Sequence, residues 1–255
     1  MRLTSAALLP LVTGLANAAA CPDIGGMRLV WQENFSGPAG SGVNRNVWNI
    51  ATVANTNNEV QTYTESSSNL QISGGGSVQF VPRKSASGQW SSSRIETKAS
   101  FMPQPGKQML IQASIRMGAN ANQQGIWPAF WLLGDAIRHG TQWPLCGELD
   151  IMEQVNGAMT AYGTAHCQQD KGGVCNEPSG KAGTTAIPDH SWHVWALRWD
   201  RTSNNWRTES ITWVRDGAIY HVLTGNDIGN EAIWATLAHA PYYILMNVAV
   251  GGFWP

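Results

Sequence analysis

Charge is scarce in this chain. Asp, Glu, Lys and Arg make up only 13% of its 255 residues, and 16 basic against 17 acidic side chains leave a formal net charge of −1. That balance gives no electrostatic basis for binding nucleic acid or an anionic membrane surface, both of which need a basic excess. Long apolar runs are scarce as well: the main one, residues 6–15, is shorter than the roughly 20 residues that cross a bilayer. There is no internal repeat, no Pro-rich linker and no appended binding module, so one catalytic or binding domain is expected. Helical stretches are nearly missing, with residues 231–238 the one candidate.

Residues 1–20 carry Arg2, then the apolar run, then Ala18-Ala19-Ala20, which is the order of a secretory signal and its small-residue cleavage site. Cleavage there leaves 255 − 20 = 235 residues from Cys21 and, with Arg2 gone, a charge of −1 − 1 = −2. The expected product is a secreted, extracellular monomer of one domain, residues 21–255, with no membrane attachment. Lipidation of Cys21 is disfavoured because Ala18 stands where a bacterial lipoprotein carries Leu.

Cysteine is limited to Cys21, Cys146, Cys167 and Cys175. An even number in a secreted chain suggests disulfides, and four cysteines allow three connectivities. Cys167 and Cys175 flank a Gly- and Gln-rich loop and are expected to pair, which leaves Cys21 with Cys146. The spacings do not resemble a zinc site.

Turn signals, by contrast, are frequent. Ser73-Gly74-Gly75-Gly76, Pro103-Gln104-Pro105-Gly106, Asp216-Gly217 and Gly225-Asn226-Asp227 cut the chain into short apolar or alternating runs. Strands are expected at 29–33, 78–81, 94–101, 108–117, 129–133, 148–153, 159–166, 193–199, 211–214, 218–222 and 243–250. Many strands with almost no helix imply an all-β sandwich. Tryptophan is abundant at 13 residues. Such rings fill cores; in a polar secreted chain they also suit sugar binding, because flat rings stack on the apolar faces of pyranoses.

The densest chemistry is Glu148-Leu149-Asp150-Ile151-Met152-Glu153. On a strand Glu148 and Asp150 share one face while Leu149 and Ile151 pack on the other. Glu153 is an odd step from Glu148, and one extra residue, a bulge at Ile151-Met152, returns it to the acidic face. Acids this close push each other's pKa values apart. A glycosidase uses that separation for one ionised nucleophile and one protonated acid, roughly 5–5.5 Å apart in retaining enzymes. A solvated acidic strand or a metal site is the plain alternative. The nearby Trp143 and Trp127-Pro128-Ala129-Phe130-Trp131 argue against an ordinary solvated face.

Gly147-Glu148-Leu149-Asp150-Ile151-Met152-Glu153, preceded by Gly125-Ile126-Trp127-Pro128-Ala129-Phe130-Trp131-Leu132-Leu133, resembles glycoside hydrolase family 16. Within it the bulged E-x-D-x-x-E signature is that of the laminarinase-type endo-β-1,3(4)-glucanases. The resemblance runs from about Leu29 to Pro255. It implies a concanavalin A-like β-jelly roll of two curved antiparallel sheets, with a substrate cleft on the concave face. It implies Glu148 as nucleophile, Glu153 as acid/base and Asp150 orienting Glu148, in a double displacement that needs no metal or cofactor. The expected substrate is β-1,3 or mixed β-1,3/1,4-glucan; transfer to a sugar, or glucan binding without turnover, are the alternatives. A structural calcium, bound by many relatives away from the cleft, is left uncommitted.

Other residues align with the cleft of that family. Asn57, Glu59, Gln61 and Tyr63 recur at odd positions and would share one strand face. Arg94 is either a substrate contact or an ion-pair partner of Glu96. Trp127 and Trp131 share a face if their strand is regular, with Trp143 on a neighbouring loop. His166, Asn247 and Trp254 complete the expected cleft, while His193 and Trp195 are left to the core. Specificity is expected in loops 134–146 and 168–187. Members of the family usually continue beyond a Gly-Gly-x-Trp-Pro-Gly segment into one more strand, so a jelly roll without its C-terminal strand is expected here.

Overall fold

The alternating runs between Gly and Pro turns do form strands. A computed structural model describes residues 21–53, 56–169 and 171–255. The expected signal segment lies outside the described residues. In chain order the strands are β1 (Trp48–Ile50), β2 (Gln61–Tyr63), β3 (Leu70–Ile72), β4 (Val78–Phe80), β5 (Arg83–Lys84), β6 (Trp90–Ser92), β7 (Arg94–Thr97) and β8 (Gln108–Ile115). They continue as β9 (Ile126–Gly134), β10 (Glu148–Glu153), β11 (Thr160–His166), β12 (Lys181–Ala186), β13 (His193–Asp200), β14 (Ser210–Arg215), β15 (Ala218–Thr224) and β16 (Tyr242–Val250). Two short helices, α1 (Gly225–Ile228) and α2 (Glu231–Ala238), precede β16. The Asn230 side chain caps α2 by accepting the Ile233 N–H, and the helix buries Trp234 and Leu237.

Two antiparallel sheets form the body. One has seven strands in the order β1-β7-β16-β9-β10-β11-β12, the other four in the order β15-β14-β13-β8. Alternation decides what lies between them. Phe130 and Leu132 of β9, and Leu149 and Ile151 of β10, meet Trp195, Leu197, Trp199, Ile211 and Trp213 of the second sheet in one buried cluster. Burial of each such side chain contributes about 1.5–3 kcal/mol. The result is a β-jelly-roll sandwich whose larger sheet turns the odd-numbered residues of β9 and the acids of β10 outward.

Several expectations need correction. Residues 29–33 form no strand: Leu29 and Val30 are exposed, and Trp31 instead packs its ring on Trp48 and Phe101. Strand β12 was not foreseen, because Lys181-Ala182-Gly183-Thr184-Thr185-Ala186 is a small, polar edge without apolar alternation. The expected Cys167–Cys175 disulfide is present. Cys21 and Cys146 are not bonded to each other. Cys21 lies by Ser114 of β8 on the smaller sheet, while Cys146 is buried with Leu133, Tyr243 and Leu245 on the larger. Burial pushes the Cys146 thiol up to about 12, with the Glu148 charge adding to it.

Candidate active site

Strand β10 contains the expected bulge. Asp150 pairs with Thr164 and Glu153 with Tyr162 on β11, so three steps on one strand face two on the other. Against β9, Asp150 pairs with Trp131 and Met152 with Phe130, which again leaves one residue over. The extra residue returns Glu153 to the side of Glu148 and Asp150. It also costs ladder bonds, and the second sheet supplies replacements. Trp213 Nε1 donates to the Asp150 carbonyl at 2.7 Å, and the Tyr220 hydroxyl to the Ile151 carbonyl at 2.5 Å. Both side chains reach β10 past Gly163 of β11, where a Cβ would stand 2.4 Å from Trp213 Cδ1 and 2.6 Å from the Tyr220 oxygen. Glycine is required there by close approach.

Neighbours make the three acids unequal. At the Glu148 end, His166 Nε2 lies 3.4 Å from Asp150 Oδ2 and 4.0 Å from Glu148 Oε1. Its Nδ1 meets Glu177 Oε2 at 2.6 Å. At the other end Trp127 Nε1 donates to Glu153 Oε1 at 2.9 Å. Burial pushes Glu148 up to about 8, Asp150's charge adds to this, and His166 and Arg94 pull back. Burial likewise raises Asp150, against a His166 hydrogen bond. Glu153 is raised well above the usual range by burial and then by Asp150, with the Trp127 N–H opposing. For His166 burial acts downward, but Asp150 and Glu177 outweigh it and push the imidazole up to about 11. Glu148, Asp150 and His166 also place donor atoms within 4.8 Å of one another. With Nδ1 tied to Glu177 and Nε2 facing Asp150, the group reads as an acid/base cluster around one imidazole rather than a set of metal ligands.

Around these acids the outward face is aromatic and polar. Trp127 and Trp131 do share it, Pro128 notwithstanding, since β9 runs unbroken through both. Trp131 Nε1 donates to Asn247 Oδ1 at 2.7 Å, and Asn247 Nδ2 to the Tyr63 hydroxyl at 3.2 Å. Arg94 lies over the Trp131 ring at 4.8 Å, and Glu96 pairs with Arg138 rather than with it. Trp254 sits edge-on to Trp127 and to Tyr162, at 5.3 and 5.0 Å between ring centroids. Trp143, partly exposed, tilts against His166 at 5.7 Å. Beside it a cavity of about 260 Å³ lies between residues 143–145 and Gln168-Gln169.

Not every expected residue faces this cleft. The stretch 57–63 is not one strand: Asn58 takes a left-handed φ of 62°, Glu59 makes an isolated bridge to Gly251, and β2 begins only at Gln61. Gln61 is 1% exposed and its Oε1 accepts the Val250 N–H at 2.7 Å, so it braces β16 instead of offering its amide to a ligand. Asn57 and Glu59 lie beside Gly252 and Trp127, with Glu59 Oε2 accepting the Asn57 N–H at 2.8 Å. Tyr63 is buried and joins the cleft through Asn247. His193 is tied to Asp189 and Asp216, and Trp195 is in the core. Two cleft residues were missed. Tyr162 could have been found from its place two before Thr164 on an alternating strand. Glu177 carries no local signal.

The pattern of an "XgeA-like, catalytic GH16 domain" matches residues 46–196. The solved endo-1,3-beta-glucanase from Streptomyces sioyaensis is 35% identical with a TM-score of 0.87, over 93% of this chain and 90% of that one. The laminarinase from Rhodothermus marinus is 29% identical with a TM-score of 0.69, over 89% of this chain and 87% of that one. The Niallia circulans glucan endo-1,3-beta-glucosidase A1 is 28% identical over 91% of this chain, which spans only 35% of that protein's length. The bulged acid strand, its histidine and the Trp127–Trp131 run all fall inside the matched span, and the chain belongs to glycoside hydrolase family 16.

Proposed function

We propose that this protein is a secreted, retaining endo-glycosidase that hydrolyses β-1,3 or mixed β-1,3/1,4-glucan. The observation that carries the reading is the inequality of Glu148 and Glu153 on one bulged strand. Glu148 has the charges of His166 and Arg94 to favour its carboxylate, while for Glu153 the neutral indole N–H of Trp127 comes first and the charge of His166 adds less. The first glutamate is suited to attack and the second to give a proton. The Glu148 carboxylate adds to the anomeric carbon as the glycosidic C–O bond breaks and the Glu153 proton passes to the leaving oxygen. Water then loses a proton to Glu153, adds to the anomeric carbon and releases Glu148. Asp150 lies between them with Oδ2 3.4 Å from His166 Nε2, where the imidazole opposes the rise that burial causes. The steps use two carboxyls and water, with no cofactor. The names of the similar proteins from Streptomyces sioyaensis and Rhodothermus marinus support glucan as the substrate class. The leader-like residues 1–20 support secretion.

The test is product analysis on laminarin, lichenan, agarose and xyloglucan. We expect new reducing ends from laminarin, with retained anomeric configuration. E148Q and E153Q are each expected to lose at least about a hundredfold in kcat while melting cooperatively and, near pH 4, at the parent's temperature. Lengthened oligosaccharides instead of new reducing ends would point to transfer, and full activity in either variant would refute the assignment.

A further inference from the structure

Glu177 is a buried acid that this double displacement does not use. Its side chain is 0% exposed, and a buried carboxylate is costly unless it is paired and hydrogen-bonded. It is both. Oε2 meets His166 Nδ1 at 2.6 Å, and Oε1 accepts the Cys167 N–H at 2.8 Å. Its own N–H and C=O exchange 2.8 Å bonds with Gly172. The Cys167–Cys175 disulfide closes the loop that carries Gly172. Four hydrogen bonds and a covalent bridge thus fix one carboxylate behind one histidine, whose other nitrogen faces Asp150 and Glu148.

We propose that Glu177 is a positioning residue: through Nδ1 it holds His166 in one orientation as a proton-bearing cation facing Asp150 and Glu148. Those two acids can then carry negative charge while Glu153 keeps its proton. The proposal rests on the glycosidase reading of the acid strand. The groups that face His166 are Glu148, Asp150 and, through its charge, Glu153 of β10, with Glu177 two residues beyond the disulfide loop. The segment entering β12 supplies only Gly180, where a Cβ would stand 2.9 Å from His166 Cε1. Trp143 covers the ring from its loop, and Arg94 of β7 acts on Glu148 rather than on the imidazole. Acids outnumber cations here and all favour the charged imidazole; Asp150 acts at Nε2, and Glu177 adds its share through the hydrogen bond at Nδ1.

Glu177→Gln separates this role from loop closure, because the amide still offers an oxygen to the Cys167 N–H but no charge to His166. The experiment follows the 15N-labelled imidazole of His166 through a pH titration, assigned by its loss in His166→Gln, alongside kcat and KM on laminarin. In the parent chain both ring nitrogens should keep their protons above about pH 8, against an ordinary value of about 6.5. In E177Q the ring should titrate at least about one pH unit lower, with kcat down about tenfold and KM within about twofold. An ordinary titration in the parent would overturn the proposal without any variant, as would an unchanged titration in E177Q. A parent chain inactive on every glucan would refute the glycosidase reading, while the imidazole titration would still decide what Glu177 does to His166.

Discussion

Glu148 and Glu153 are the same side chain on the same strand, and what separates them is the identity of their neighbours. A cation beside a carboxyl favours ionisation, whereas a neutral donor does so more weakly. Trp127 is therefore expected to set how far Glu153 is raised. Trp127→Phe keeps the ring but removes the N–H that favours the carboxylate. The Glu153 pKa should rise further, so the alkaline limb of kcat should move to higher pH, with kcat at the optimum down about tenfold as the acid loses its orientation. A pH–rate profile checks this; a limb that stays put would show that the indole does not act on Glu153. At this scale much of the site was legible. Glu148, Asp150, Glu153, Trp127 and Trp131 stood out by residue type and spacing, whereas His166, Asn247 and Trp254 were expected only through the family resemblance. Gln61 was misplaced because its Oε1 is taken by the Val250 N–H of β16, a partner nearly two hundred residues along the chain that alternation does not reveal. Glu177 was invisible because its partner is 11 residues away around a loop, a distance that no strand or helix period encodes.

At the scale of the element, the bulge in β10 is legible from its acids but its support is not. An odd spacing of Glu153 demands one extra residue, and the extra residue frees the Asp150 and Ile151 carbonyls from the ladder. Nothing in the chain says that Trp213 and Tyr220, on the other sheet, receive them. That arrangement needs Gly163 to be small, which a propensity argument reads only as a weak point in β11. Tyr220→Phe leaves the Ile151 carbonyl buried without its donor, at a cost of about 1–3 kcal/mol. Gly163→Ala does more: its methyl would overlap both Trp213 and Tyr220, so the bulge must move and the acids with it. We expect Gly163→Ala to lower kcat at least about tenfold beyond the loss in Tyr220→Phe, at comparable loss of melting temperature. Equal kcat values in the two variants would show that the bulge does not place the acids. Other elements were readable where apolar alternation meets a core, as in β9, β10, β11 and β16. Edge strands such as β12 bury too little to leave that mark.

For the molecule as a whole, the cluster that suits catalysis opposes stability at neutral pH, and the sign can be worked out. An unfolded chain releases the Glu148 proton near the ordinary 4.5, whereas the folded chain holds it up to about 8. Between those values the folded state binds more protons, so stability falls as pH rises. His166 acts in the same direction. Its unfolded value is 6.5 and its folded value about 11, so the stability it contributes is fully present below 6.5 and is lost as pH rises toward 11. Asp227, held low by the Thr224 hydroxyl, has the opposite sign and loses its contribution only as pH falls below 3.8. The melting temperature should therefore peak near about pH 4–5 and decline toward pH 8. E148Q offers a direct check, because a glutamine has no proton to release. It should match the parent near pH 4, where Glu148 is neutral in both states. At about pH 8 it should be the more stable protein, by on the order of a few kcal/mol, which for a chain of this size is several degrees. Thermal melts of parent and variant from pH 4 to 8 decide it. Two curves that stay parallel across that range would mean that Glu148 ionises as freely in the fold as in water, and the argument that its buried carboxylate costs stability at neutral pH would fall with it.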